Sequence, residues 1–394
     1  RLRRSERSGG VIVEGGSGAP VQASTQELVE SLRHAHQKLS VLELDSGGKQ
    51  PQIRGSMVIE RHGVLVATSP TQKPWIDSNV ALARFVAAFQ PGQAPLFSFS
   101  WELDDPVARQ EGPRLEDYSL AVAEADAMHA DVILPVFPRL QEALAEGNKT
   151  AWREWDRVKD YLRFYSKQPG QAAEPWADIG VVAENYGDAY EAMNLLARHN
   201  IPFDVLRPGE VTAQRLSHLQ MVIMFSRPAE QTARELQAFS SKGGTVVFVN
   251  LHGPFPWDNL PSTKMSYGKS YKVGRGEVAE FSGPVEDPEE FAQTIRHLLS
   301  EQDVLVRLWN ALTTLGFAYP GPQARSLTLD LVNYAQEPLG VQVRVKGTFS
   351  NIRYETPEHG FYPEIRPEHQ DGFTQFVVHQ LVIGGRVYLS SQDR

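Results

Sequence analysis

The stretch Leu96-Phe97-Ser98-Phe99-Ser100-Trp101-Glu102 decides how the first part of the chain is interpreted. Its apolar run is typical of a strand buried on both faces, as in a parallel sheet. The run ends in a large aromatic residue and a carboxylate, before a break at Asp104-Asp105-Pro106. In a (β/α)8 barrel the functional residues lie at the carboxyl ends of the strands, so Glu102 is a candidate catalytic residue. The alternative is a solvated glutamate, or one paired with a nearby arginine.

The composition of the 394-residue chain is that of an ordinary globular protein, with 41% hydrophobic and 22% charged residues. The formal net charge is -9 and there is no basic stripe, which argues against a nucleic-acid partner. No apolar run approaches the roughly 20 residues of a membrane helix, so we expect no transmembrane segment. The sequence has no cysteine, which excludes disulfides, thiolate metal sites and a cysteine nucleophile.

The sequence leaves the cellular compartment open. Residues 1–7 are rich in arginine and no apolar core follows them, so we do not expect them to be a signal peptide. The chain is compatible with a bacterial cytoplasmic protein, and equally with a periplasmic or secreted one whose signal has been removed.

Residues 1–168 alternate short apolar runs with amphipathic helical patterns, which favours a parallel sheet with right-handed crossovers. The runs that we expect to form strands are 10–14, 40–45, 96–102 and 130–137, with either 57–60 or 64–67. These make about five strands, whereas a closed barrel of this type has about eight. We therefore expect the C-terminal part of a (β/α)8 barrel. A buried strand with an open edge is costly, so the missing strands should lie before residue 1 or in another chain.

Two further domains are expected after a linker at residues 169–177. Over residues 178–300 strand and helix patterns alternate, which predicts a doubly wound, flavodoxin-like α/β domain. Its first loop, Glu184-Asn185-Tyr186-Gly187-Asp188, lacks the Gly-x-Gly-x-x-Gly of a dinucleotide site, so we expect no nucleotide cofactor. Over residues 301–394 the apolar period changes to two, which predicts a small antiparallel β-sandwich.

Carboxylates fall at or near the carboxyl ends of four expected strands in the first segment: Glu14, Asp45, Glu60 and Glu102. No histidine cluster accompanies them, so we expect no metal site. Hydrolysis of a glycosidic bond needs a pair of carboxyl groups. One protonates the leaving oxygen, and the other acts as nucleophile or activates water. The pattern therefore favours carboxylate chemistry on a glycan.

Other residues near these acids are candidates for substrate binding. Trp75 and Trp101 offer flat apolar faces for sugar rings, and packing in the core is the alternative role of each. His62, in the segment Glu60-Arg61-His62-Gly63, is a candidate substrate ligand. Its alternative is an exposed or capping residue in a turn.

Segments from the middle and last parts of the chain carry a resemblance to a known group of enzymes. In the middle part these are Asp178-Ile-Gly-Val-Val and Tyr271-Lys-Val-Gly-Arg-Gly-Glu-Val278, and in the last part Leu331-Val332-Asn333-Tyr334. With the order of the segments, they resemble bacterial TIM-barrel glycoside hydrolases that carry a glutamine-amidotransferase-like domain. The family 42 β-galactosidases are the best-known example of this architecture.

The resemblance implies roles for two glutamates and for the middle domain. Such enzymes place an acid/base Glu after the fourth barrel strand and a nucleophile Glu after the seventh. If residues 10–14 are the fourth strand, Glu14 and Glu102 match these positions. Val13 stands where the family usually has Asn. Amidotransferase activity needs a cysteine, which this chain lacks, so the middle domain is expected to serve in packing or homo-oligomerisation.

The leading hypothesis is a glycosidase that acts on a carbohydrate substrate without a cofactor. Two alternatives remain on the sequence alone. One is a non-catalytic glycan-binding protein on a degenerate barrel, and the other is a structural or assembly subunit.

Overall fold

The computed structural model describes residues 10–14, 40–44, 59–61, 64–68, 79–89, 96–100, 110–134, 136–166, 174–300, 303–321, 325–335, 337–362 and 365–391. For the strands up to residue 133 it describes the backbone alone. Backbone contacts divide the chain into two compact units. The first comprises residues 1–69 and 92–169, and the second comprises residues 70–91 and 170–394.

Eight α-helices occur in the described residues. They are α1 (Val80–Phe89), α2 (Leu115–Ala127), α3 (Pro138–Ala145), α4 (Lys149–Ser166), α5 (Tyr186–Arg198), α6 (Ala213–Leu216), α7 (Glu230–Ser241) and α8 (Pro288–Leu298). Asp287 shows how local chemistry starts one of them. Its carboxylate accepts hydrogen bonds from the backbone N–H groups of Glu289 and Glu290, at 2.9 and 3.1 Å. Pro288 occupies the first helical position, where no N–H is needed.

The first unit contains the strands β1 (Gly10–Glu14), β2 (Ser40–Leu44), β3 (Ile59–Arg61), β4 (Val64–Thr68), β5 (Leu96–Ser100) and β6 (Asp131–Ile133). The pairs β1–β2, β4–β5 and β5–β6 are parallel, as the alternation of strands and helices predicts. The two candidate runs around residue 60 both form strands, and they make an antiparallel hairpin. Because β4 pairs in parallel with β5, residues 64–68 supply the strand of the parallel sheet.

Helix α1 lies between β4 and β5 in the chain, yet it groups with the second unit. It contacts α5, and its Phe85 ring meets the Tyr186 ring edge-on at 5.5 Å between centroids. Val80, Leu82 and Ala83 on this helix are buried. Helical spacing predicts the helix itself, whereas its partner is decided by tertiary packing.

The α/β part of the second unit has the strands β7 (Ile179–Val182), β8 (Phe203–Leu206), β9 (Met221–Met224), β10 (Thr245–Val249), β11 (Ser262–Met265), β12 (Gly268–Val273) and β13 (Gly276–Phe281). Within the described ranges they form one sheet in the order β11-β12-β13-β10-β9-β7-β8. Pairing is parallel from β13 to β8, and β11 and β12 add an antiparallel edge. β12 and β13 form a hairpin, and Gly274 in its turn has φ +63°.

The last part of the second unit is antiparallel throughout its described residues. Its strands are β14 (Val306–Trp309), β15 (Thr314–Pro320), β16 (Ser326–Asn333), β17 (Leu339–Lys346), β18 (Asn351–Thr356), β19 (Gly360–Phe361), β20 (Glu368–Gln370), β21 (Phe373–Leu381) and β22 (Gly384–Ser390). They form two sheets, ordered β14-β17-β21-β20 and β15-β16-β22-β18-β19. Val343 and Phe376 of one sheet share a buried core with Leu329 and Val387 of the other. The alternating segments predicted as strands here are confirmed.

Candidate functional site

The carboxyl ends of β1 and β2 lie side by side. In their parallel register Glu14 is level with Leu44, the last residue of β2. Glu14 therefore ends its strand, as the sequence predicts. Asp45 follows Leu44 directly, but it lies outside the described residues. At the level of the backbone, Glu14 and Leu44, the residue before Asp45, therefore lie at one edge.

The carboxyl ends of β4 and β5 are aligned in the same way. Thr68, the last residue of β4, is level with Ser100, the last residue of β5. Trp101 and Glu102 follow Ser100 in the chain. They lie outside the described residues, as do His62 and Trp75, so their expected roles stay predictions.

Glu60 lies towards the other end of this sheet. Because β3 runs antiparallel to β4, Glu60 is level with Leu65, the second residue of β4. Thr68, at the carboxyl end of β4, is three positions further along that strand. The sequence places Glu60 at the end of a strand, but the hairpin reverses that strand. The register therefore does not support the expected position of Glu60 beside Glu14 and Glu102 at the strand ends. A substrate-binding role for Glu60 stays a prediction.

The connection after β6 is held by a buried tyrosine. The hydroxyl of Tyr118 on α2 accepts a hydrogen bond from the backbone N–H of Phe137 at 3.2 Å. Burial raises the pKa of Tyr118 to about 12, so the hydroxyl keeps its proton at neutral pH. The Tyr118 ring also contacts Phe137 and Trp155 edge-on, with centroids 6.5 and 6.2 Å apart. These contacts fix the segment that follows the carboxyl end of β6.

A cleft of about 270 Å³ lies beside this anchor. Its walls include Glu111 and Arg114, which precede α2, Arg139 at the start of α3, and Glu154 and Trp155 on α4. A helix that follows a parallel strand begins on the side of that strand's carboxyl end. The cleft therefore belongs to the same side of the sheet as the ends of β5 and β6.

The sequence does not predict this cleft. Tyr118 and Trp155 pack around Val158 in an apolar contact between α2 and α4. The charged residues of the cleft come from three segments, before α2, at the start of α3 and on α4, and only the fold brings them together. The order of residues in the sequence does not show that these side chains lie close to one another in space.

In the middle sheet, a serine at a strand end has a structural contact. Ser226 follows β9, and its Oγ accepts a hydrogen bond from the backbone N–H of Glu184 at 3.0 Å. This bond ties the ends of β7 and β9 together. The residues that the structure describes hold no group of three or more His, Asp or Glu side chains placed to bind a metal ion.

Comparison with known proteins gives a match of folds. No protein-family model matches the chain, and no curated protein matches its sequence. Among solved structures, α-L-fucosidase isoenzyme 2 from Paenibacillus thiaminolyticus is similar, with a TM-score of 0.56 and 13% identity. That match covers 95% of this chain and 71% of the fucosidase. The GH42 β-galactosidase Gan42B from G. stearothermophilus has a TM-score of 0.53 and 13% identity, covering 94% of this chain and 67% of that one.

The chain has a GH42-like TIM-barrel architecture. Identities of 12–13% make this a statement about fold alone. The resemblance expected from the order of the segments is confirmed at that level. No helix in the described part of the chain is long and apolar enough to cross a bilayer.

Proposed function

We propose that this chain is a glycoside hydrolase that cleaves a glycosidic bond with Glu14 and Glu102. The proposal rests on two aligned pairs of strand ends, those of β1 and β2 and, in a separate sheet, those of β4 and β5, on a fold shared with glycoside hydrolases. Glu14 ends β1, and Glu102 follows the end of β5 by two residues. Parallel strands of one barrel present their carboxyl ends to one face, which is where barrel enzymes keep their active sites.

The proposed mechanism follows from what the bond requires. Glu14 protonates the leaving oxygen, and Glu102 acts as the nucleophile in a retaining reaction or as the base for water in an inverting one. The sugar is bound by Asp45, Glu60 and His62 and by the aromatic residues Trp75 and Trp101. The distance between the two reacting carboxyl groups decides the stereochemical outcome. About 5–5.5 Å corresponds to retention, and about 6.5–9.5 Å to inversion.

Finer features of the architecture belong to the same proposal. Residues 178–300 form a flavodoxin-like, glutamine-amidotransferase-like domain, and residues 301–394 form a β-sandwich. The parallel order of β13 to β8 and the shared core of the two antiparallel sheets support this division. The middle domain serves in packing or homo-oligomerisation, because without a cysteine it has no amidotransferase nucleophile.

One observation favours a non-catalytic function. Val13 precedes Glu14, where glycoside hydrolases of this kind usually have Asn. An apolar residue at that position removes a side chain able to hydrogen-bond to the sugar. The second candidate function is therefore glycan binding, or a structural role, on a barrel that has lost hydrolysis.

Hydrolysis of aryl glycosides by the full chain and by single variants separates these functions. Glu102→Gln and Glu14→Gln should each lower kcat/KM at least about 100-fold, because each removes a proton donor or a nucleophile. Glu142→Gln is the matched control, because Glu142 is an exposed glutamate on α3 of the same unit. Full activity of Glu102→Gln would remove that residue from the mechanism. No hydrolysis by the wild type of any aryl glycoside in a broad panel would favour the non-catalytic function.

A further inference from the structure

A second cleft, of about 510 Å³, lies on the C-terminal antiparallel sheets. It runs beside β21, where β20 pairs only with Phe373 to Gln375 among the described residues. Its polar walls are formed by the side chains of Gln342, Arg366, Glu368, Gln375 and His379, and its apolar walls include Tyr354 and Tyr362. We propose that this cleft binds a neutral oligosaccharide.

The strand register gives the cleft an aromatic neighbour. Trp309 on β14 is directly opposite Gln342 on β17, which is opposite Val377 on β21. Residues paired in this way share one face of the sheet, with Cβ atoms about 4.5–5.5 Å apart. All three side chains are exposed, and Trp309 is 40% exposed. The outer face of the sheet therefore carries an open indole ring one strand away from the cleft wall.

The polar lining fits a neutral sugar better than a charged ligand. The amides of Gln342 and Gln375 each donate and accept hydrogen bonds, while Arg366 donates and Glu368 accepts. A sugar hydroxyl also does both, so it can bond to every group in this set. Glu368 would repel a phosphate or a carboxylate, and Arg366 would repel a cation. The C–H face of a pyranose ring can meet the electron-rich face of Trp309.

The tyrosines of the cleft supply an independent observation. The ring of Tyr354 stacks on that of Tyr362, with centroids 4.8 Å apart. Tyr354 is 1% exposed, and its hydroxyl has no hydrogen-bond partner among the described residues. A buried hydroxyl without a partner costs free energy. Because this oxygen is itself buried, the Tyr354 ring, stacked on that of Tyr362, contributes to the cleft as an apolar wall.

This binding site does not depend on the proposed hydrolysis. The strand ends that carry Glu14 and Glu102 belong to the first unit, whereas every residue named in the cleft belongs to the second. The site gives the chain a place to hold a glycan whether or not the barrel cleaves one.

Calorimetric titration of the full chain tests the proposal. Galactotetraose, mannotetraose and cellotetraose serve as neutral probes, and tetragalacturonate serves as the anionic contrast. A background of Glu102→Gln keeps the probes from being consumed. At least one neutral probe should bind saturably, and more tightly than the anion. Binding by none of the neutral probes would overturn the proposal, as would preference for the anion.

Variants then locate the site. Trp309→Ala and Gln375→Ala should each weaken binding by about 2- to 12-fold, from the loss of a ring contact and of a hydrogen-bonding amide. Trp152→Ala is the matched control, because Trp152 on α4 is 44% exposed in the other unit. Unchanged affinity in both cleft variants would place the glycan elsewhere and overturn the proposal.

Discussion

Arg386 donates two hydrogen bonds to Asp330 across the strands β22 and β16. Arg386 Nε lies 2.6 Å from Asp330 Oδ1, and Arg386 Nη2 lies 3.2 Å from Oδ2. The two residues are directly opposite in the register, and each side chain is 2% exposed. The fork of the guanidinium matches the carboxylate, so two buried charges satisfy each other.

Removing one member of this pair should cost much more than removing both. Asp330→Asn should lower the free energy of unfolding by about 3–5 kcal/mol, because Arg386 is left charged and buried without its carboxylate. The double variant Asp330→Leu/Arg386→Met should regain most of that loss, since apolar residues of similar size tend to replace a buried pair at little cost. Urea denaturation measures both. Equal losses in the single and double variants would contradict this account.

The burial of Asp178 should make the stability of the protein depend on pH. It is 1% exposed at the start of β7, and its Oδ1 accepts hydrogen bonds from Trp176 Nε1 at 2.9 Å and Gln220 Nε2 at 3.2 Å. Burial raises the pKa of Asp178 from an ordinary value near 3.8 to about 6, and these hydrogen bonds offset part of the rise. Between these two values the folded state keeps the proton that the unfolded state loses. Stability should therefore fall as pH rises from about 4 to about 6, and then stay level.

Asp178→Asn should remove this dependence. An amide oxygen can still accept from Trp176 and Gln220, but it carries no charge to desolvate. The variant should be more stable than the wild type at pH 7.5, by up to about 3 kcal/mol, and similar to it at pH 4. Thermal unfolding across this pH range measures the difference.

Asp303→Asn provides a control of opposite sign. The hydrogen bond from Lys346, at 2.9 Å, is the main cause that lowers the pKa of Asp303. Its contribution to stability is present above the unfolded pKa and is lost as pH falls. This substitution should leave stability unchanged or lower it at pH 7.5. A gain in stability from Asp303→Asn, or none from Asp178→Asn, would show that burial of Asp178 is not what limits stability there.

The Asp330–Arg386 pair also shows how far the sequence predicts the fold. Alternation over residues 326–333 predicts a strand with Leu327, Leu329 and Leu331 facing a core, and this is confirmed. The same alternation puts Asp330 on the outer face, which a two-layer sandwich would leave in water. The structure buries it, with 2% of its side chain exposed, where it pairs with Arg386. A local pattern does not encode which elements cover the second face.

The sequence predicts the candidate site only in part, for the same reason. Position after an apolar run is enough to identify Glu14 as a residue at the end of a strand. It is not enough for Glu60, since β3 pairs antiparallel with β4, so the strand that carries Glu60 runs against the parallel strands of that sheet. Strand direction depends on pairing, and pairing is a tertiary property.

Asn333 is a buried residue whose side chain closes one end of the antiparallel sheets. It is fully buried, and its Nδ2 donates to the carbonyl oxygens of Glu337, Leu381 and Val382 at 2.8, 3.2 and 2.8 Å. Asn333→Asp would set an oxygen against these three oxygens. It should lower the free energy of unfolding by at least about 3 kcal/mol in urea denaturation. Asn310→Asp, at an exposed position, should change it by less than about 0.5 kcal/mol. Similar effects of the two substitutions would contradict this role.

Asn200 joins the α/β part of the second unit to β15 with both ends of its amide. Its Nδ2 donates to Thr314 O at 2.9 Å, and its Oδ1 accepts from Gly316 N–H at 2.9 Å. The residue follows α5 with φ +51°, a conformation that Asn and Gly adopt more readily than Ala. Asn200→Gly keeps this conformation but loses both bonds, so we expect a loss of about 1–3 kcal/mol.

Asn200→Ala loses the same bonds and also strains the backbone, which should add about 1 kcal/mol. The expected order of stability, measured by urea denaturation, is therefore Asn, then Gly, then Ala. Gly187→Ala is a useful control, because it lies in the first turn of α5 with open space around its Cβ and should be neutral or mildly stabilising. An Asn200→Ala variant as stable as the wild type would show that the amide does not hold β15 in place. If Asn200→Gly were less stable than Asn200→Ala, the conformational freedom that glycine adds to the unfolded chain would outweigh the backbone strain of alanine.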